Sequence, residues 1–200
     1  MKLIFARHGE TEANLADQFQ GRIDTPLTEK GQQQATNLGK FLLHVSIDEV
    51  ILSPLPRVKA TYDIATAKRV IPTSIDERLI EICYGDWEGV SRAELDQEIL
   101  KQRNDHRFTY IYPGTYNNIP GESYAIQYEL RMKSFLEDLV SQNSEKTFLI
   151  ISHQGPLLSV KKFFSKLTDE ETGKVKTLNN EIYIVDVHSR SDHKLTSVTL

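Results

Sequence analysis

Residues 2–11 read Lys2-Leu3-Ile4-Phe5-Ala6-Arg7-His8-Gly9-Glu10-Thr11, an apolar run closed at once by a cation, an imidazole and a glycine. A run of this length ended by such residues has the signature of a strand buried on both faces. Two further stretches repeat the pattern. Residues 49–52 lead into Ser53-Pro54-Leu55-Pro56-Arg57, and residues 147–152, the most apolar of the three, lead into His153-Gln154-Gly155.

Helical periodicity fills the intervals between these runs. Thr28 is a suitable N-cap for a helix with Ala35, Leu38 and Leu42 on one face. Pro54 and Pro56 favour a second start, followed by Val58, Tyr62 and Ala65. Over residues 123–140, Ala125, Tyr128, Met132, Phe135, Leu136 and Leu139 recur at helical spacing, and Pro156 opens another helix with Leu157, Val160 and Phe164 inward. Residues 182–187 and 195–198 read as closing strands. Alternation of this kind predicts an α/β fold with a mostly parallel sheet flanked by helices in three layers, where sites form at the carboxyl ends of strands.

Composition narrows the class of function. The chain has 200 residues, a formal net charge of -4, and 39% hydrophobic and 26% charged residues, consistent with one globular domain over 1–200. The acidic balance argues against nucleic acid as a partner, and Lys161-Lys162 reads as a solvated helix face. No apolar run approaches the ~20 residues that span a bilayer, so no membrane partner is expected. Arg7 interrupts the first apolar stretch too early for a secretory leader. A single cysteine, Cys83, rules out an intramolecular disulfide framework and is read as a buried structural thiol. The expectation is a cytoplasmic enzyme acting on small molecules, with oligomeric state left open.

The strand ends carry the chemistry. They bring Arg7, His8, Arg57 and His153 to one edge of the sheet, and two guanidiniums beside helix N-termini make a concentrated anion site. His44, His106, His188 and His193 have no spacing that suits metal ligands and are read as solvent-exposed; Trp87 is core or pocket wall, and Glu10 a loop or orienting residue.

In their order, these motifs resemble the histidine phosphatase superfamily, also called phosphoglycerate mutase-like. Arg7-His8-Gly9-Glu10-Thr11 with Asn14 is similar to its signature, and Asp24-Thr25-Pro26-Leu27-Thr28 with Gly31 continues it. Ser53-Pro54-Leu55 with Arg57 and Thr61 looks like the second-arginine segment. Glu81 with Tyr84-Gly85-Asp86-Trp87-Glu88-Gly89 looks like the acid segment, Gly121-Glu122-Ser123 like the family's Gly-Glu-Ser, and Ser152-His153 with Gly155 like the second-histidine motif. Gln154 departs from the glycine that many members carry there.

The resemblance implies a phosphoglycerate mutase-like fold and a metal-independent phosphomonoesterase without a cofactor, acting on a small phosphorylated substrate. It assigns His8 as nucleophile and Glu81 as acid and base, with Arg7, Arg57 and His153 on the phosphoryl oxygens. Asn14, Gln20, Gly21 and Gln154 complete the expected substrate-binding set. Two alternatives stand beside it, a phosphoglycerate mutase and a non-catalytic relative that binds phosphorylated ligands. Ala13 before Asn14 and the lack of an Arg-Arg pair argue against the mutase, and the joint presence of nucleophile and acid argues against the binding module. Residues 90–120 fall where family members vary a substrate lid, and Phe108, Tyr110, Tyr112 and Tyr116 suit either stacking on an aromatic or apolar leaving group or packing in a core, which such clusters do at least as often.

Overall fold

In the computed structural model, which describes residues 1–67, 69–142, 145–189 and 192–200, the three apolar runs become the centre of one sheet. They are β1 (Lys2–Arg7), β2 (Glu49–Leu52) and β6 (Thr147–Ser152). With β3 (Thr73–Ile75), β7 (Glu181–Val187) and β8 (His193–Thr199) they form a six-stranded sheet in the order β3-β2-β6-β1-β7-β8. The contacts from β3 to β1 are parallel, while β7 runs antiparallel to both of its neighbours. The sheet is thus mostly parallel, as expected, and β7 is the single reversed strand.

Side-chain alternation along the central strands makes two cores. Leu3, Phe5, Phe148 and Ile150 face one layer, and Ile4, Ala6, Leu149 and Ile151 face the other. Against the second face pack α2 (Glu29–Leu42), capped by Thr28, and α3 (Pro56–Ala65), with Pro56 in its first turn. On the first face lie α7 (Gln154–Ser165) and a long helical stretch built from α5 (Tyr124–Gln127), a π turn over Tyr128–Met132, and α6 (Lys133–Ser141). Burial of each large aliphatic side chain stabilises the fold by roughly 1.5–3 kcal/mol. No helix among the described residues is long and apolar enough to cross a membrane.

Several short elements escape the sequence reading. They are α1 (Glu12–Leu15), α4 (Gln97–Asp105), the hairpin β4 (Thr115–Tyr116) and β5 (Ile119–Pro120), and α8 (Asp169–Lys174), along with the edge strand β3. The shorter ones cannot display a period; α4 buries only Arg103 and so has no apolar stripe, and all the residues of β3 are exposed, so no apolar pattern marks it.

Register sets the site. Arg7 pairs with Ser152 and Leu52 with Ile151, so three strands end at one level. The backbone continues the pairing for one step, with His8 N–H donating to Ser152 (3.0 Å) and Ser53 N–H to Ile151 (3.1 Å). His8, Ser53 and His153 therefore leave the sheet side by side.

Candidate active site

His8 is buried, and its Nδ1 lies 2.8 Å from its neighbour's carbonyl, that of Gly9. A carbonyl only accepts, so Nδ1 carries the proton and Nε2 is left with a bare lone pair. That lone pair faces Arg57 Nε at 3.3 Å. Burial, then the Arg57 and Arg7 charges, push the imidazole well below the ordinary histidine range, which keeps it neutral. The loop that holds it is closed by contacts from three directions. Gly9 N–H donates to Thr61 (3.0 Å), Asn179 donates its side-chain N–H to the His8 carbonyl (2.8 Å), and Gly9 lies so close to Gly31 that a Cβ would come within 2.4 Å of the Gly31 carbonyl. Glycine at position 9 is thus set by this close backbone approach.

Arg57 is fully buried and locked in place. Its guanidinium donates to the carbonyls of Ile23 and Gly21 (both 2.8 Å) and to Asp24 (2.9 Å). Gly21 is therefore turned to Arg57, and its N–H goes to Glu88 (3.1 Å), so it supports the arginine and does not line the cavity as a substrate contact. Arg7 is held more loosely, by one bond to the Thr177 carbonyl at 3.3 Å, and its Nε has no partner among the described residues.

His153 caps the start of α7, its ring centroid 5.2 Å from that of His8. Its Nε2 lies 2.6 Å from Ser53 Oγ, while Nδ1 is buried with no partner among the described residues. Burial, reinforced by Arg57, His8 and Arg7, pushes this imidazole well down also. An unpartnered buried ring nitrogen costs free energy unless a ligand atom completes it.

Glu81 closes the opposite side. It is buried, and its carboxylate accepts the N–H of Ile82 (3.0 Å) and of Gly155 in the first turn of α7 (3.2 Å). Burial raises its pKa above the ordinary carboxylate value, against the opposing pull of those N–H groups and of Arg57 and Arg7. A Cβ on Gly155 would lie 2.4 Å from the Glu81 carboxylate and 2.3 Å from Gln127 Oε1, so any larger residue would push both of these side chains from their places. The Glu81 segment is fixed from behind by Ser152, which donates to Leu79, and by Gln127, which donates to Ile80.

These groups border a cavity of about 310 Å³ lined by Arg7, His8, Asn14, Gln20, Glu81 and Gln154 among others, with Arg57 and His153 buried behind it. Asn14 Oδ1 accepts from Thr11 N–H in a capping box, which leaves its NH₂ for the cavity. Both ends of the Gln20 amide are occupied, by Thr11 and Thr25. Gln154 lies in regular helix and its side chain reaches the cavity wall, so no special backbone angle replaces the missing glycine. A larger cleft, about 520 Å³, lies between the α4–α5 connection and α8 and shares no lining residue with this cavity.

Three of the four aromatic residues expected over the pocket pack in or against the core, while Tyr116 is half-buried in the hairpin, paired with Ile119. Phe108 and Tyr112 are buried in the core, and Tyr110 and Tyr112 pack on each other and on Trp87, which settles Trp87 in the core as well. From residues 90–120, Arg92 is what lines the cavity. Tyr112 also accepts from Arg103 (2.8 Å), and this polar anchor favours burial of the ring over exposure at a pocket mouth. Cys83 is buried as expected. His44, His106 and His188 are exposed, while His193 is half-buried with Nε2 3.0 Å from the Phe164 carbonyl. Glu10 binds Thr28 and Lys30, the loop role expected of it.

Sequence reasoning gave no role to Ser53, Asp24 or Asn179 in the site. The residues that each holds lie 33 to 171 positions away in the chain, beyond any local pattern. Chemically, the arrangement offers a neutral imidazole lone pair, converging cationic donors, and a carboxyl group whose protonated form is favoured by burial.

A mostly parallel three-layer sheet with its pocket at the carboxyl ends of the strands defines the phosphoglycerate mutase-like class of α/β protein. The chain belongs to the histidine phosphatase superfamily (branch 1), whose sequence profile matches residues 3–198. It is 34% identical over 158 residues to an adenosylcobalamin/alpha-ribazole phosphatase of Salmonella typhimurium, covering 78% of this chain and 76% of that one. It is 35% identical over 159 residues to phosphoserine phosphatase 1 of Hydrogenobacter thermophilus, covering 78% and 72%. Among solved structures, the alpha-ribazole phosphatase of Shigella flexneri superposes with a TM-score of 0.80 at 29% identity, over 100% of this chain and 96% of that one.

Proposed function

We propose that this chain is a phosphomonoesterase that hydrolyses a small phosphorylated metabolite through a phosphohistidine on His8. The observation that carries the reading is the bare Nε2 of His8, buried among Arg7, Arg57 and His153 with the Glu81 carboxyl group across the cavity. A phosphate dianion entering the site draws Arg57 Nε onto a phosphoryl oxygen, and the lone pair it covered is released to attack phosphorus in line. Arg7, Asn14 and the unpartnered Nδ1 of His153 take further oxygens; Nδ1 then carries the proton, and Ser53 donates to Nε2. Glu81 gives its proton to the departing alkoxide. As a carboxylate it then draws a proton from the water that attacks the phosphoenzyme, which releases phosphate and restores His8.

Hydrolysis is favoured over mutase chemistry by the cavity's charges. A mutase must hold and reorient a second anionic group, and beyond Arg7 the wall's cation is Arg92, which is already paired with Asp17. The nearby phosphatases and the lone buried thiol support a small-molecule enzyme of the cytoplasm. Residues 90–120 contribute to substrate choice through Arg92 at the rim.

Because arginines and the α7 N-terminus supply the positive charge, phosphate release from p-nitrophenyl phosphate should survive excess chelator. Orthovanadate should inhibit, since its five-coordinate form resembles the transition state. Loss of activity on chelation, with recovery on adding a divalent ion, would contradict this site.

The pH profile follows from the two perturbed groups. The active form needs His8 unprotonated and Glu81 protonated. Burial moves the first pKa down and the second up, so kcat/KM should be bell-shaped, falling in acid as His8 is protonated and in base as Glu81 ionises. The basic limb should vanish in Glu81→Gln; its persistence would assign that limb to another group.

A further inference from the structure

Beyond its phosphoryl end, the cavity is walled by neutral amides. Among the described residues none hydrogen-bonds the side chain of Gln18 or Gln154, and the Asn179 side chain spends its N–H on His8 and leaves its carbonyl oxygen open. Besides the His8 imidazole, Tyr84 is the aromatic ring of the wall among the described residues. At about 310 Å³ the cavity is at the small end of ligand sites, which run to roughly 1,000 Å³.

The charges on this wall are already matched. Arg92 is ion-paired with Asp17 and donates to its backbone carbonyl, and its guanidinium lies 4.3 Å from the centre of the Phe19 ring. Glu10 is spent on Lys30 and Thr28. Among the described residues, an extra carboxylate on the substrate would meet two carboxylates and, beyond the phosphoryl-binding Arg7, no unpaired cation, whereas hydroxyl groups would meet half-exposed amide donors and acceptors that hold no protein partner and can exchange water for them.

We propose that the leaving group is a neutral polyol: the site takes the phosphate monoester of a sugar or another polyhydroxylated alcohol, Gln18, Gln154 and Asn179 bind its hydroxyls, and the Asp17–Arg92 pair turns away carboxylate-bearing esters. This rests on the phosphatase reading and departs from the amino-acid ester in the name of one relative.

The test uses three-carbon esters that differ in one feature at a time. Glycerol 3-phosphate, propyl phosphate, 3-phosphoglycerate and phosphoserine are compared by kcat/KM for phosphate release, with p-nitrophenyl phosphate in the same assay. Glycerol 3-phosphate should exceed propyl phosphate by about 10- to 100-fold and both acidic esters by about tenfold or more. Gln18→Leu should narrow the first ratio by about tenfold. Asp17→Asn should narrow the second, because it frees Arg92; asparagine tolerates the positive φ of 52° at this position, so the loop is preserved. Preference for propyl phosphate, 3-phosphoglycerate or phosphoserine, or ratios unmoved in both variants, would overturn the polyol assignment while p-nitrophenyl phosphate turnover leaves the phosphatase reading intact. If wild-type protein releases phosphate from none of the five esters, the phosphatase reading itself fails and the polyol assignment with it.

Discussion

Turnover by His8→Ala is expected to fall on the order of 10⁵-fold or more, because removal of a covalent nucleophile cannot be compensated by the binding groups that remain. The wild-type enzyme, quenched during reaction, should carry a phosphoryl group that is labile in acid and stable in alkali, and the variant should carry none. Folding is a separate matter. The His8 ring makes one hydrogen bond to its neighbour's carbonyl and one to Arg57, whose other partners at Gly21, Ile23 and Asp24 are untouched by the substitution. The variant should therefore keep its circular dichroism spectrum and still bind inorganic phosphate. Normal turnover in His8→Ala, or a label retained on its protein, would remove His8 from the mechanism.

Glu81→Gln should split the two half-reactions by leaving group. An alkyl alkoxide leaves poorly without a proton, so phosphorylation of His8 by an alkyl ester should slow on the order of 10²- to 10⁴-fold. Nitrophenolate leaves readily without one, and with p-nitrophenyl phosphate the first step should remain fast. Water then lacks its base, and the phosphoenzyme accumulates. Rapid mixing should show a burst of nitrophenol near one equivalent, followed by a slow steady rate. Glutamine retains the acceptor oxygen that Gly155 and Ile82 bind, so the start of α7 should remain in position. Equal slowing of the burst for good and poor leaving groups would make Glu81 structural.

The reading of residues 90–120 shows where sequence alone misleads. Four aromatic residues within nine positions suit a stacking platform and a core equally well, since both need apolar rings at close spacing. Three-dimensional neighbours decided between them: Phe19, Tyr84 and Trp87 surround Tyr112, while Arg92, an unremarkable surface-type residue in the sequence, reaches the cavity. Gln154 shows the reverse, since its departure from the family's glycine was visible in the chain and its side chain does reach the wall.

By itself the sequence determined the central strands, the main helices and the identity of the groups that leave the sheet at His8, Arg57 and His153, because strand and helix periods and turn chemistry are local and are written in adjacent residues. The tertiary structure alone decided how those groups are held. The partners of His8, Arg57, His153 and Glu81 include Asn179, Asp24, Ser53 and Gly155, brought near by the strand order β3-β2-β6-β1-β7-β8. The tautomer of His8, the open nitrogen of His153 and the raised pKa of Glu81 follow from those contacts and from burial. Both depend on which distant segments a sheet places side by side, and no window of sequence contains that information.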